Sequence, residues 1–331
     1  MRTWRLVPLL LLASASTWAG DACPLLRTQT ASPDPATRIA AIACREHAAW
    51  FRPFIDRNGR LASMTTMEAE SSPLSDGQES AWQRVARYWR DSGLLGGMGH
   101  RSGASDCQYG ALAGPSATAC RAFVVDTPWS AAFISWVMRQ AALPGFRGSS
   151  RHYSYVRDAY LQPATHAYDV LDIAKAKLAV GDLLCYVRHA NRVYAHEGLL
   201  AAARGHDILD MHCDIVVAVN PDNDSIAYLI GGNVQQGVTM RMLPLNRNGE
   251  FWGLPLRVGD GSLCAPDNEA ACSFNRQDWA ALLKLKPADE LAKLPGALPP
   301  TPEIVPAEEQ KCCVHCVVGA GVPRCPKPET P

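Results

Sequence analysis

The spacing of apolar residues changes character once along this chain, and that change limits the folds open to it. Up to about residue 161 apolar positions recur at helical intervals, whereas beyond it they form short runs separated by turn residues. Ile39, Ile42, Ala43, His47 and Trp50 mark an amphipathic helix within 37–53, and Trp82, Val85, Ala86 and Trp89 mark another within 80–94. Trp129, Phe133, Trp136 and Val137 share one side of a helix over 129–142, stopped by Leu143-Pro144-Gly145. Asp126-Thr127-Pro128 reads as its start, a capping side chain followed by a Pro whose missing N–H does no harm in the first turn. A further helix is predicted from His152 to Leu161, and 95–120 reads as an irregular Gly/Ser/Ala loop. Strands are predicted at 181–188, 212–220, 225–232 and 238–243. Helices first and strands afterwards specify an α+β fold with an antiparallel sheet, not alternating βαβ units.

The chain of 331 residues opens with a basic end, an apolar run from Leu6 to Ala15 and a small-residue exit. That order predicts a cleaved signal peptide over 1–19 and a periplasmic or secreted product. Cys23, behind Asp21-Ala22, fits a lipid-anchor signal poorly, and no later segment is predicted to span a membrane. The twelve cysteines are then expected in an oxidising compartment, with Cys23–Cys44, Cys107–Cys120 and Cys264–Cys272 as the local pairs. Formal charges cancel, so nothing in the composition points to nucleic acid or an anionic membrane surface. From about Ala288 the chain is Pro-rich and ends in Cys312, Cys313, Cys316 and Cys325, which predicts a linker and a cysteine-stapled tail. Cys313-Val314-His315-Cys316 has the look of half a zinc site, but export favours disulfides there.

Chemistry is suggested by a hairpin. If Pro221 to Asp224 form its turn, Asn220 faces Ser225 and His212 faces Asn233, close enough for the amide to steady the imidazole. Asp214 lies on the same side of its strand and is the other possible orienting group. Ser130, in the first turn of its helix, has the unpaired N–H groups and positive dipole end that favour an oxyanion. Its hydroxyl is too weak an acid to ionise there and needs direct contact with His212. By strand alternation Cys213 points away from His212, so Cys120, Cys185 and Cys213 are expected in disulfides or the core.

These residues resemble a known family. Thr127 to Trp136 is similar to the Pro-Trp-Cys-Ala-Ala-Phe-Val-x-Trp helix of CHAP-type and NlpC-type peptidoglycan amidases and endopeptidases. Gly181-Asp182-Leu183-Leu184 resembles their Gly-Asp strand, His212 to Val217 their His-x-Gly-x-Val-Val strand, and Gly231-Gly232-Asn233 their Gly-Gly-Asn. Extended upstream through Trp82 to Trp89, the chain also resembles an exported bacterial domain family of unknown function that carries Ser where the CHAP group carries Cys. The resemblance implies a papain-like core over 126–286, preceded by a helical part and disulfide loop over 20–125 and followed by the tail over 287–331. It implies a peptidoglycan hydrolase acting on an amide or peptide bond, with Ser130, His212 and Asn233 or Asp214 catalytic and no cofactor. Trp129, His152, Arg188 and Asp126 would border the substrate. Ser for Cys, and Asp214 for the family's Gly, are departures that leave two rivals open. One is a non-catalytic module binding a wall peptide or protein partner; the other is a zinc hydrolase using His152, His212 and Asp214 with Asp126 nearby.

Overall fold

A computed structural model describes residues 21–108, 114–189, 192–251, 253–257 and 264–296 of the chain. The expected signal peptide, most of the Pro-rich segment and Cys312, Cys313, Cys316 and Cys325 lie outside the described residues. Helix α1 (Pro35–Ala49) opens on Asp34, whose carboxylate accepts from Thr37 N at 2.9 Å, with Pro35 at its first position. Helix α2 (Ala81–Asp91) opens on a capping box of Ser80 and Gln83. Helix α3 (Gly114–Asp126) replaces part of the expected loop. Its Ala/Ser/Thr-rich first half has no apolar stripe; the Cys107–Cys120 disulfide and the packing of Phe123 on Trp89, 5.5 Å between centroids, hold it in place. Because α3 runs through Asp126, that residue caps nothing: α4 (Ser130–Gln140) begins from Trp129 instead. Helix α5 (His152–Leu161) has the predicted bounds.

The sheet comprises β1 (Phe54–Ile55), β2 (Leu61–Ala62), β3 (Tyr168–Leu171), β4 (Leu183–Val187), β5 (Met211–Val219), β6 (Ile226–Val234), β7 (Gly237–Pro244) and β8 (Asp278–Leu285). Its order is β2-β1-β7-β6-β5-β4-β8-β3, antiparallel except where β1 meets β7, so the chain is α+β as expected. Strand β8 was not expected, because its Trp279, Leu282 and Leu283 have helical spacing; it is pairing with β3 and β4 that makes it a strand. Helix α6 (Ala195–Arg204) was also missed, and its cap comes from β8: Asp278 accepts from Tyr194 N at 2.7 Å and Ala195 N at 2.9 Å. A short α7 (Ala288–Leu291) follows β8 with Leu291 buried.

Strand alternation divides the core. Cys213, Ile215 and Val217 of β5 join the large apolar cluster containing residues of α1, α2, α4 and α5, while Val216 joins a smaller one with Leu184, Leu229 and Leu282. Trp129 is wholly inside, stacked on Trp50 at 5.7 Å and close to Tyr88. Gly181-Asp182 locks the start of β4: the buried Asp182 carboxylate accepts from Ala179 N (2.7 Å), Leu285 N (2.9 Å) and Lys284 Nζ (2.9 Å). The three anticipated disulfides are present, and a fourth joins the paired residues Cys185 and Cys213 on β4 and β5. These four fit an oxidising compartment. Among the described residues no helix is long and apolar enough to cross a membrane.

Candidate functional site

The amino ends of α4 and α5 meet the start of β5. Ser130 is the first residue of α4 and His152 the first of α5, and Ser130 Oγ lies 2.7 Å from His152 Nε2. The loop leading into α5 is pinned to α4 by Ser135, whose hydroxyl donates to Ser149 O and accepts from Ser149 N, both at 3.0 Å. Gly148 passes so close that a Cβ there would come within 3.0 Å of Ser135 Cβ. The other ring nitrogen of His152 bonds the Tyr155 hydroxyl, one helical turn on. When Tyr155 accepts from Nδ1–H, Nε2 is free to accept the Ser130 proton.

His212 stands beside His152, with ring centroids 5.0 Å apart. Its Nε2 is 2.8 Å from Asp214 Oδ1, and Arg188 Nη2 is 3.0 Å from its Nδ1. A guanidinium has only donors, so Nδ1 must accept and Nε2–H must point at the carboxylate. Asp214 Oδ2 in turn accepts from Arg241 Nε at 3.0 Å, and Arg241 is itself braced by Asn275 Oδ1 at 3.0 Å. Burial pulls the His212 imidazolium down to about 4 despite the neighbouring carboxylate. His152 is likewise held well below the ordinary histidine range, by burial first and then by His212 and Arg188. Asp214 stays well below the usual carboxylate range: its burial is outweighed by His212 and Arg241.

The expected pairing of His212 with Asn233 does not form. The register is as anticipated at Ile215↔Ile230 and Val216↔Leu229, but β6 breaks beyond Gly231, and Asn233 adopts φ 54°. That left-handed residue departs from strand alternation and turns its side chain toward α4. With its amide oriented to satisfy both partners, Oδ1 accepts from Trp129 N at 3.1 Å and Nδ2 donates to Glu68 Oε2 at 3.2 Å. Glu68 also accepts from Trp129 Nε1, and burial pushes its carboxyl up. Of the two orienting groups considered for His212, the structure brings Asp214 and not Asn233. Nor does Ser130 bond His212 directly; the hydroxyl's partner is His152, which sequence reading had placed at the border of the site.

Gly231 and Gly232 make this arrangement possible. A Cβ on Gly231 would lie 1.9 Å from Asp214 Oδ1 and 2.9 Å from His212 Nε2, and one on Gly232 would lie 2.4 Å from Phe133 Cβ of α4. Two cavities adjoin the group. One, about 370 Å³, is lined by Ser130, His152, Arg188, Arg151 and Asp210 among others; the second, about 500 Å³, lies across Arg188. Trp129 is too deeply buried to touch a ligand, and the exposed Asp126 lines neither cavity. The zinc set does not assemble: the guanidinium of Arg188 occupies the His212 nitrogen not committed to Asp214. Among the described residues no group of three or more His, Cys, Asp and Glu is placed to hold a metal ion. Arg241, Tyr155 and Glu68 went unrecognised in the sequence. Arg241 carried a signal, a lone charge in the otherwise uncharged run Val238 to Leu243, and Tyr155 lies one turn from His152; Glu68, in a loop, carried none.

What fold and site define is an α+β domain with a buried Ser–His pair backed by a His–Asp–Arg chain at the edge of a cleft. Residues 76–285 match the family described as an uncharacterized protein conserved in bacteria, DUF2272, and the chain belongs to that family. No curated protein and no solved structure matches the chain.

Proposed function

We propose that the chain is a serine hydrolase of amide or peptide bonds in peptidoglycan, built on a papain-like core over 126–286. The observation that carries the reaction class is the 2.7 Å contact between Ser130 Oγ and His152 Nε2 at the first residues of two helices. The substrate class rests on the ordered resemblance of the Ser130, Gly181, His212 and Gly231 motifs to CHAP-type and NlpC-type enzymes. Ser130 Oγ attacks the carbonyl carbon while His152 Nε2 takes its proton. The N–H groups of Ser130, Ala131 and Ala132 precede the first intrahelical bond of α4, Phe133 N to Trp129 O at 2.9 Å, and are disposed to bind the oxyanion. His152 then returns the proton to the leaving amine, and a water activated by the same imidazole releases the acyl group. Tyr155 orients His152, and the His212 ring, held by Asp214, packs beside it.

A second reading, a module that binds wall peptide without cutting it, is favoured by one observation: the Ser130 and His152 that would react are themselves buried, 6% and 4% exposed. Incubation with purified peptidoglycan, with products identified by mass spectrometry, decides between them. The hydrolase reading expects muropeptide products from the wild type and a loss of roughly 10³-fold or more in rate for Ser130→Ala and for His152→Ala. A Ser130→Ala protein that digests peptidoglycan as fast as wild type removes the mechanism. Binding without products, unaffected by His212→Ala, establishes the module.

A further inference from the structure

Arg188 is the partition between the two cavities, and the larger one is unusually cationic for a chain whose formal charges cancel. Arg188, Arg241 and Arg257 line it together with Asn233 and Gln277, and no Asp or Glu is among its described lining residues. Asp214 answers the charge of Arg241. The other two guanidinium groups face no carboxylate among the described residues of the cavity wall. Arg257 gives one Nη to the carbonyl of Arg192 at 2.9 Å, and its Nε, though buried, has no hydrogen-bond partner among the described residues. Arg188 sits on an exposed residue at the end of β4, 5.7 Å over the Tyr186 ring, with a neutral imidazole nitrogen accepting from its guanidinium. A buried guanidinium donor without an acceptor, as at Arg257 Nε, is costly, and a planar fork of N–H groups is matched best by a planar anion with paired oxygens.

We propose that this cavity binds a carboxylate of the substrate, held by Arg188 and Arg257, and that its arrival draws Arg188 off His212 Nδ1. The exchange gives Arg188 a charged partner for a neutral one, and it frees a nitrogen on the ring that stands 5.0 Å from His152. Ligand binding and readiness of the site are thereby coupled: a peptide carrying a carboxylate at the right distance from the scissile bond would be cut in preference to its amide. The consequence for cleavage rests on the hydrolase reading; the binding itself does not.

The test uses the full chain carrying Ser130→Ala, so that no turnover intervenes, titrated calorimetrically with N-acetyl-alanyl-alanine and with its C-terminal amide. The acid is expected to bind about tenfold or more tightly than the amide, as loss of a charge-assisted bond would dictate. Arg188→Gln and Arg257→Gln should each remove most of that preference, and on saturation the ¹⁵N signal of His212 Nδ1 should move. Equal affinity for acid and amide, an acid affinity untouched by both substitutions, or preference for inorganic phosphate over the acid would each overturn the assignment. A wild type inert toward peptidoglycan that still discriminates acid from amide refutes the hydrolase and leaves the cavity assigned; an active enzyme indifferent to the carboxylate does the reverse.

Discussion

At the scale of single residues, the proposed proton acceptor is unusual in its surroundings. His152 is oriented by a neutral phenol, and the carboxylate belongs to the neighbouring imidazole. Burial and the nearby Arg188 and His212 disfavour its charged form. A general base works only when neutral, and a lowered pKa keeps it neutral further into acid. The acid limb of kcat/KM is therefore expected below the ordinary histidine value of 6.5, with a flat rate from there to about pH 8. A pH profile of peptidoglycan hydrolysis checks this; a limb at or above that value would mean that an exposed histidine, not His152, takes the proton.

At the scale of elements, the Gly231-Gly232-Asn233 segment of β6 serves three partners in succession. Gly231 leaves room for Asp214 and His212, Gly232 admits Phe133, and Asn233 grips the backbone that caps α4. Gly231→Ala is expected to displace the His212–Asp214 pair and to cost about 2 kcal/mol or more of stability, because the added carbon meets a buried, braced carboxylate rather than a mobile tip. Gly96→Ala, where a Cβ meets nothing within 4 Å, should change neither activity nor unfolding midpoint. Denaturant unfolding and hydrolysis assays of the two variants side by side read the difference.

At the scale of the whole molecule, buried histidines make stability depend on acidity. His47, bonded to Pro53 O at 2.9 Å, and His166, bonded to Tyr168 N at 3.1 Å, are both held at about 4 by burial, against 6.5 when exposed. Above about 6.5 both folded and unfolded chains carry these rings neutral and stability is independent of them. Between 6.5 and about 4 the unfolded chain takes up protons that the folded chain refuses, so stability falls with pH, by on the order of 3 kcal/mol for each ring. Thermal unfolding followed from pH 8 to pH 4 should show a constant midpoint down to about neutrality and a steep decline below. His166→Gln should soften that decline, and an unchanged slope would contradict the assignment.

Much of this was written in local pattern. The helical stripes through Trp82 and Trp89 and through Phe133 and Trp136 announced α2 and α4, and the switch to short apolar runs announced an α+β sheet. The three short-range disulfides were expected as local pairs, though spacing alone does not set connectivity; the pairing of Cys185 with Cys213 needed knowledge that β4 and β5 are neighbours. The candidate site divides in the same way. Ser130, His212 and Asp214 were legible because a helix start and a strand face are local properties. That His152 stands next to Ser130, that Asn233 leaves its strand to hold Trp129, and that Arg188 and Arg241 close on the His212–Asp214 pair were not. Those contacts join residues far apart in the chain, one of them through a left-handed backbone angle, and only packing of the helices' amino ends against the sheet edge brings them together.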